Sequence, residues 1–133
     1  MIKFTIYENP ICKKNNGRII RVKGRPRYVP SEAFLKYEKK CKKYIPIIEP
    51  ISQPVNIKAT YYMGTRRLVD LTNLNSALHD VLVHYKVLDD DNRDIAATTD
   101  GSIVLYDKDC PRTEVEITYL DGYKQWKERR NKQ

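Results

Sequence analysis

The residues best suited to chemistry fall in two short segments. One contains Asp70, Thr72 and Asn73 and runs on to Asp80; the other is Asp89-Asp90-Asp91-Asn92. Carboxylates that converge on one point offer hard oxygen donors, which suit Mg²⁺, with Mn²⁺ as a substitute. A cation held there can activate water and offset charge on a phosphoryl group during hydrolysis. Arg66 and Arg67 precede the first segment, and Lys13, Lys14 and Asn15 lie in a basic loop far upstream. Side chains of that kind hold a phosphate backbone. Two plainer readings stand beside this one: Asp70 as a carboxylate at a helix start, and the aspartate run as a solvated turn.

The elements that must position these groups can be read from periodicity. Residues 2–7 alternate as a strand does, and 10–17 form a basic loop. Residues 18–22 and 26–29 flank Lys23-Gly24-Arg25 and suggest a hairpin. Ser31 is a helix cap for a run to about Ile45, whose apolar face is Phe34, Leu35, Tyr37, Cys41 and Tyr44. Pro46, Pro50 and Pro54 mark a connector. A long strand is predicted over 55–63, resuming at Leu68, so that Asp70 and Thr72 point the same way where it ends. The spacing predicts a second helix over 73–86, with Leu74, Leu78, Val81, Leu82 and Tyr85 on one face and Asn73, Asp80 and His84 on an adjoining stripe. Strands near 94–99 and 102–106 are expected to form a hairpin about Asp100-Gly101, and 113–119 a last strand. Such a helix spans ~21 Å, so the aspartate run reaches Asp70 only if the strand after it lies beside the strand before it. The expected architecture is α+β: a mixed sheet with two main helices packed on one side, one domain over 1–120, and a basic tail over 121–133.

Bulk properties agree with a single domain. The chain has 133 residues, 41% hydrophobic and 32% charged, and no apolar run near the ~20 residues of a membrane span. The first residues, MIKFTIYENP, lack the apolar run and cleavage site of a secretory leader, so the cytoplasm is the expected location. Cys12, Cys41 and Cys110 are widely spaced with no CxxC pair, which argues against structural zinc and a disulfide framework. Net charge is +8 but unevenly spread: residues 1–46 carry +10, 47–122 carry −6, and 123–133 carry +4. Basic flanks attract phosphate backbones, and an acidic centre between them invites a cation. His79 and His84 are spaced wrongly to share a metal on one helix face, and Trp126 is read as packing on its own domain. No P-loop, GxSxG, HExxH or Cys-His pair occurs.

The ordered set Asp70, Asn73, Ala77, Leu78, Asp80, Leu88, Asp90, Asp91 and Asn92 resembles the core signature of the RusA family of Holliday-junction resolvases. Pro10-Ile11-Cys12-Lys13-Lys14-Asn15 is similar to that family's basic loop after the first strand. Tyr28-Val29-Pro30-Ser31, with Tyr37-Glu38, is similar to the start of its first helix. The resemblance covers roughly residues 2–119. It implies a homodimer with two active sites, each cutting one of two opposed strands of a four-way DNA junction. Asp70 and Asp91 would be metal ligands, Asp90 a ligand or general base, and Asp80 a group that braces the site. Two positions depart from the best-known form of the motif: Thr72 replaces an aspartate and Ser76 a lysine. Phosphate contact then falls to Arg66, Arg67, Lys13 and Lys14. Three alternatives remain: a branched-DNA-binding relative that has lost catalysis, a nuclease preferring other branched DNA, and an acidic-centred protein-interaction domain.

Overall fold

A computed structural model describes residues 1–12 and 18–120. Its strands are β1 (Ile2–Ile6), β2 (Arg18–Val22), β3 (Arg25–Val29), β4 (Val55–Met63), β5 (Ala96–Thr98), β6 (Ile103–Tyr106) and β7 (Arg112–Tyr119). The helices are α1 (Glu32–Cys41), continued by a 3-10 turn over Lys42–Tyr44, and α2 (Leu71–His84). The tail 121–133 and the loop 13–17, with the expectations attached to them, lie outside the described residues.

The sheet runs β1-β7-β4-β5, with β6 also paired to β4. β7 is antiparallel to both β1 and β4, whereas β5 and β6 are parallel to β4. Strict alternation in β4 buries Val55, Ile57, Ala59, Tyr61 and Met63 on one face. Thr113, Val115 and Ile117 of β7 add to that face. The helices cover it with Phe34, Tyr37 and Cys41 from α1 and Leu74, Ala77, Leu78, Val81 and Leu82 from α2. The opposite face is half-exposed and carries charge pairs, Glu116 lying 3.5 Å from Lys3 and 3.9 Å from Lys58. The fold is therefore α+β, a mixed sheet with two helices on one side. No helix among the described residues is long and apolar enough to cross a membrane.

Local chemistry fixes the joints. Ser31 caps α1, its hydroxyl accepting from the Phe34 amide at 3.1 Å. The β2–β3 turn, Lys23-Gly24, has φ of 54° and 79°, the pair of positive values that a tight two-residue hairpin turn requires. α2 ends in a Schellman motif, with the Val87 amide on the Leu82 carbonyl at 2.8 Å and the Lys86 amide on Val83 at 3.0 Å. The chain then returns beside the start of β4, where the Ile51 amide bonds Val87 and the Asp89 amide bonds Ile51, both at 2.9 Å.

Two expectations are corrected. Residues 96–98 and 103–106 do not form a hairpin, because both run parallel to β4. The Asn56 side chain holds the turn between them: its Oδ1 accepts from Thr98 Oγ1 at 2.6 Å and the Asp100 amide at 2.7 Å, while its Nδ2 donates to the Asp100 carbonyl at 3.1 Å. Ser102 Oγ accepts from the Ala59 amide at 3.1 Å. Asp100-Gly101 is thus a turn between two strands that both run parallel to β4, with Gly101 at φ 86°. Nor does β4 resume at Leu68. That side chain is 96% exposed, so no burial holds the segment in the sheet.

Lys86 adopts φ 60° at the left-handed position that ends α2. That conformation disfavours a side chain by about 1 kcal/mol, partly offset in a glycine variant by its freer unfolded chain. Lys86→Gly should therefore stabilise the domain by about 0.5 kcal/mol, seen as a rise of roughly 2 °C in melting temperature; a fall would show that Lys86 makes a contact that outweighs its strain.

Candidate metal centre and its basic rim

The polar end of the sheet is where β1, β4 and β6 stop and β7 starts. Asn9, after β1, accepts from the Gly64 amide at 3.0 Å through its side chain and ties the loops after β1 and β4 together. A Cβ on Gly64 would lie 3.0 Å from the Pro111 ring, so the close approach of these loops requires glycine there. A cavity of about 400 Å³ opens between the loops, lined by Asn9, Cys12, Ser31, Met63 and Arg67 among others.

Asp70 stands at the rim of this end as the cap of α2. It is extended, at φ −89° and ψ 119°, and its Oδ1 accepts from the Thr72 amide at 2.8 Å. Its carbonyl accepts from the Leu74 amide at 3.1 Å. Thr72 lies inside the helix and is exposed, so the expectation that Asp70 and Thr72 project together from an extended strand is corrected. The cause is the missing strand at Leu68: the helix begins two residues sooner than predicted, and Asp70 terminates it. Asn73 follows, half-buried, in the first turn.

Burial, and then the Asp70 charge, push the Cys12 thiol up. Cys12 therefore sits within electrostatic reach of Asp70, and the chain leaves it directly into the loop of Lys13, Lys14 and Asn15. Those three residues lie outside the described residues. Arg66 lies over the Tyr106 ring at 4.7 Å, and Arg67 is exposed on the cavity wall. The sequence reading missed Arg112, at the start of β7. It stacks on Tyr62 at 3.7 Å, bonds Asp107 at 2.9 Å and Glu114 at 3.1 Å, and holds the Asp107 carboxyl below the usual range. Its position opposite Tyr62 follows from strand register, which no local pattern reveals.

The second acidic group follows the far end of α2. Asp90 turns inward on its own loop, its Oδ1 accepting from the Asp91 amide at 2.7 Å and its Oδ2 from the Asn92 side chain at 3.2 Å. Asn92 in turn accepts from the Asp94 amide at 2.9 Å, which leads the chain into β5. Asp91 is exposed and folds back far enough for its charge to act on His79. Burial pushes the His79 imidazole down, opposed by Asp91 and then Asp80. By helical periodicity His79 and Asp80 occupy opposite flanks of α2. The stripe of Asn73, Asp80 and His84 continues to the α1 side, where His84 lies 3.7 Å from Glu38.

The parts are therefore distributed. Asp70 caps the start of the 14-residue α2, whereas the Asp89–Asp91 run follows its far end, and Asp91 folds back toward His79. The strand after the run does lie beside β4, yet it pairs with that strand's beginning, Val55 with Ala96, and not with the end that leads to Asp70. Among the described residues no group of three or more His, Cys, Asp or Glu is arranged to hold a metal ion. One more group escaped the sequence reading. Asn75, in the apolar arc of α2, accepts from the buried Tyr61 hydroxyl at 2.7 Å and locks the helix to β4. A lone amide between Leu74 and Leu78 was the available signal.

The cap separates the two roles of Asp70. Asp70→Ala should destabilise the protein by about 1 kcal/mol through loss of the cap, whereas Asp70→Asn, which caps equally well, should stay within a few tenths. Urea unfolding of both variants tests this, and equal losses would show that the charge, not the cap, matters. No protein-family model matches the chain, and no curated protein matches it.

Proposed function

We propose that this chain is a magnesium-dependent endonuclease of branched DNA, acting on four-way junctions as a homodimer in the cytoplasm. The observation that supports the reading is the pair of exposed carboxylates, Asp70 at the start of α2 and Asp91 in the loop after it, with Arg66 and Arg67 just before the first in sequence. Oxygen donors of this type fit Mg²⁺, and Mn²⁺ after it. The ion would supply water activation and charge neutralisation at the scissile phosphate. Asp70 and Asp91 would hold it. Asp90, tied to its own loop, sets the direction of Asp91, and Asp80 braces the flank of α2.

A second copy is what the separation of these groups calls for. Two chains meeting with their α2 helices antiparallel about a two-fold axis bring Asp70 of each toward Asp91 of the other. This pairing builds two sites, each drawing one ligand from each chain, and two sites are what paired incision of opposed strands needs. A second reading, a branched-DNA-binding protein without catalysis, is favoured by one observation: a single chain gathers no three metal-binding side chains among the described residues.

Cleavage of an end-labelled four-way junction in Mg²⁺ or EDTA separates the readings. Asp70→Asn and Asp91→Asn should each abolish cutting, a loss of at least 10²-fold, while leaving junction binding intact. Dimers mixed from the two inactive variants should regain single nicks, because one of their sites has both aspartates. No rescue would place both ligands in one chain. Binding without nicks by the native protein, in either metal, would favour the non-catalytic reading.

A further inference from the structure

The β2–β3 hairpin is a two-stranded sheet of its own, hydrogen-bonded to no other strand among the described residues. Residues 19–28 are all exposed, among them Ile19 at 73%, Tyr28 at 49% and Val22 at 41%. An isolated hairpin of this kind is marginally stable in water and gains from a partner. Its sequence identifies the partner's chemistry. Residues 19–29 hold Arg21, Lys23, Arg25 and Arg27 and no Asp or Glu. None of these four cations forms an ion pair among the described residues. In the observed register Arg25 faces Val22 and Arg27 faces Ile20, while Arg21 faces Pro26 and Ile19 faces Tyr28. Side chains alternate in direction along each strand, so both faces of the ribbon carry guanidinium groups interleaved with apolar ones.

We infer that this hairpin is a DNA-contacting ribbon that enters the major groove of a duplex arm. Strands ~4.8 Å apart with side chains on both faces match a groove ~12 Å wide, and are too broad for the ~6 Å minor groove. Arginines reach phosphates and guanine edges, and Ile, Val and Tyr side chains meet sugars and thymine methyl groups. A second copy of the chain is a poorer fit. Its hairpin would bring four cations against four, and Pro26 lacks the N–H that strand-to-strand pairing through β3 would use. The inference rests on DNA being the ligand, and it adds a contact distinct from Arg66, Arg67 and the 13–15 loop.

The test compares two full-length variants that lose the same charge from different faces: Arg21→Gln/Arg25→Gln/Arg27→Gln in the hairpin and Lys39→Gln/Lys42→Gln/Lys43→Gln on and after α1. Binding to a four-way junction and to plain duplex is measured by fluorescence anisotropy across a salt series, with methylation interference at guanine N7, a major-groove atom. The hairpin variant should bind at least tenfold more weakly, with a salt slope lower by about 1 for each lost phosphate contact. It should also lose N7 interference in the arms, while the α1 variant keeps both. Equal losses in the two variants, or an unchanged hairpin variant, would overturn the inference and leave the nuclease reading standing. Hairpin-dependent binding by a native protein that never cuts would sustain the ribbon and sink the nuclease. A native protein that does not retain DNA at moderate salt overturns both.

Discussion

β4 is hydrogen-bonded along both edges, antiparallel to β7 on one side and parallel to β5 and β6 on the other. The parallel side determines where the functional groups can be. A parallel neighbour needs a crossover connection, and α2 is that crossover. The helix must run back against β4, so its first residue lies at the end of that strand and its last near the beginning. The residues that directly follow α2 therefore start near the beginning of β4, and the chain regains the Asp70 end only with β6, whose Tyr106 lies under Arg66 at 4.7 Å. The Tyr61–Asn75 bond and the Schellman ending at Lys86 fix this geometry, the first by pinning α2 to the strand, the second by turning the chain into its return beside Ile51.

Much of this was legible in the sequence, and what was not has physical causes. The alternation in Val55–Met63 and the helical spacing of Leu74, Leu78, Val81 and Leu82 report burial directly, because one face of each element meets the core. Ser31 and the Lys23-Gly24 turn announced themselves through backbone chemistry. The misreadings concern signals that are local in appearance and non-local in outcome. Asp100-Gly101 has the composition of a hairpin turn, yet Asn56, 44 residues away in sequence, captures the turn and keeps both flanking strands parallel to β4. Leu68 continues an apolar pattern, but the sheet has no neighbour for it. For the candidate site, the residue types were readable and their separation was not, since register alone sets Val55 against Ala96 rather than Met63.

Charge placement follows the same logic. Basic groups lie where strands β1, β4 and β6 end, around Arg66, Arg67 and Arg112, on the exposed β2–β3 hairpin, and along the end of α1 at Lys39, Lys40, Lys42 and Lys43. Arg112 is largely neutralised by Asp107 and Glu114, so it organises the sheet end and does not advertise it. Arg66 lies on Tyr106 and Arg67 on the cavity wall, both without a carboxylate partner among the described residues.

Separation also suits the carboxylates themselves. Two like charges ~4 Å apart near a protein surface repel by about 4 kcal/mol at an effective dielectric of 20. One chain avoids that repulsion: Asp70 is stabilised by the start of α2, Asp90 by its own loop, and Asp91 faces solvent. Thr72, where the resembling family's best-known motif has an aspartate, removes one more charge from the same end. If Asp70 and Asp91 meet across two copies, the repulsion arises only on assembly, when a cation is there to offset it. Cation binding and dimer formation would then reinforce each other, because each supplies what the other lacks.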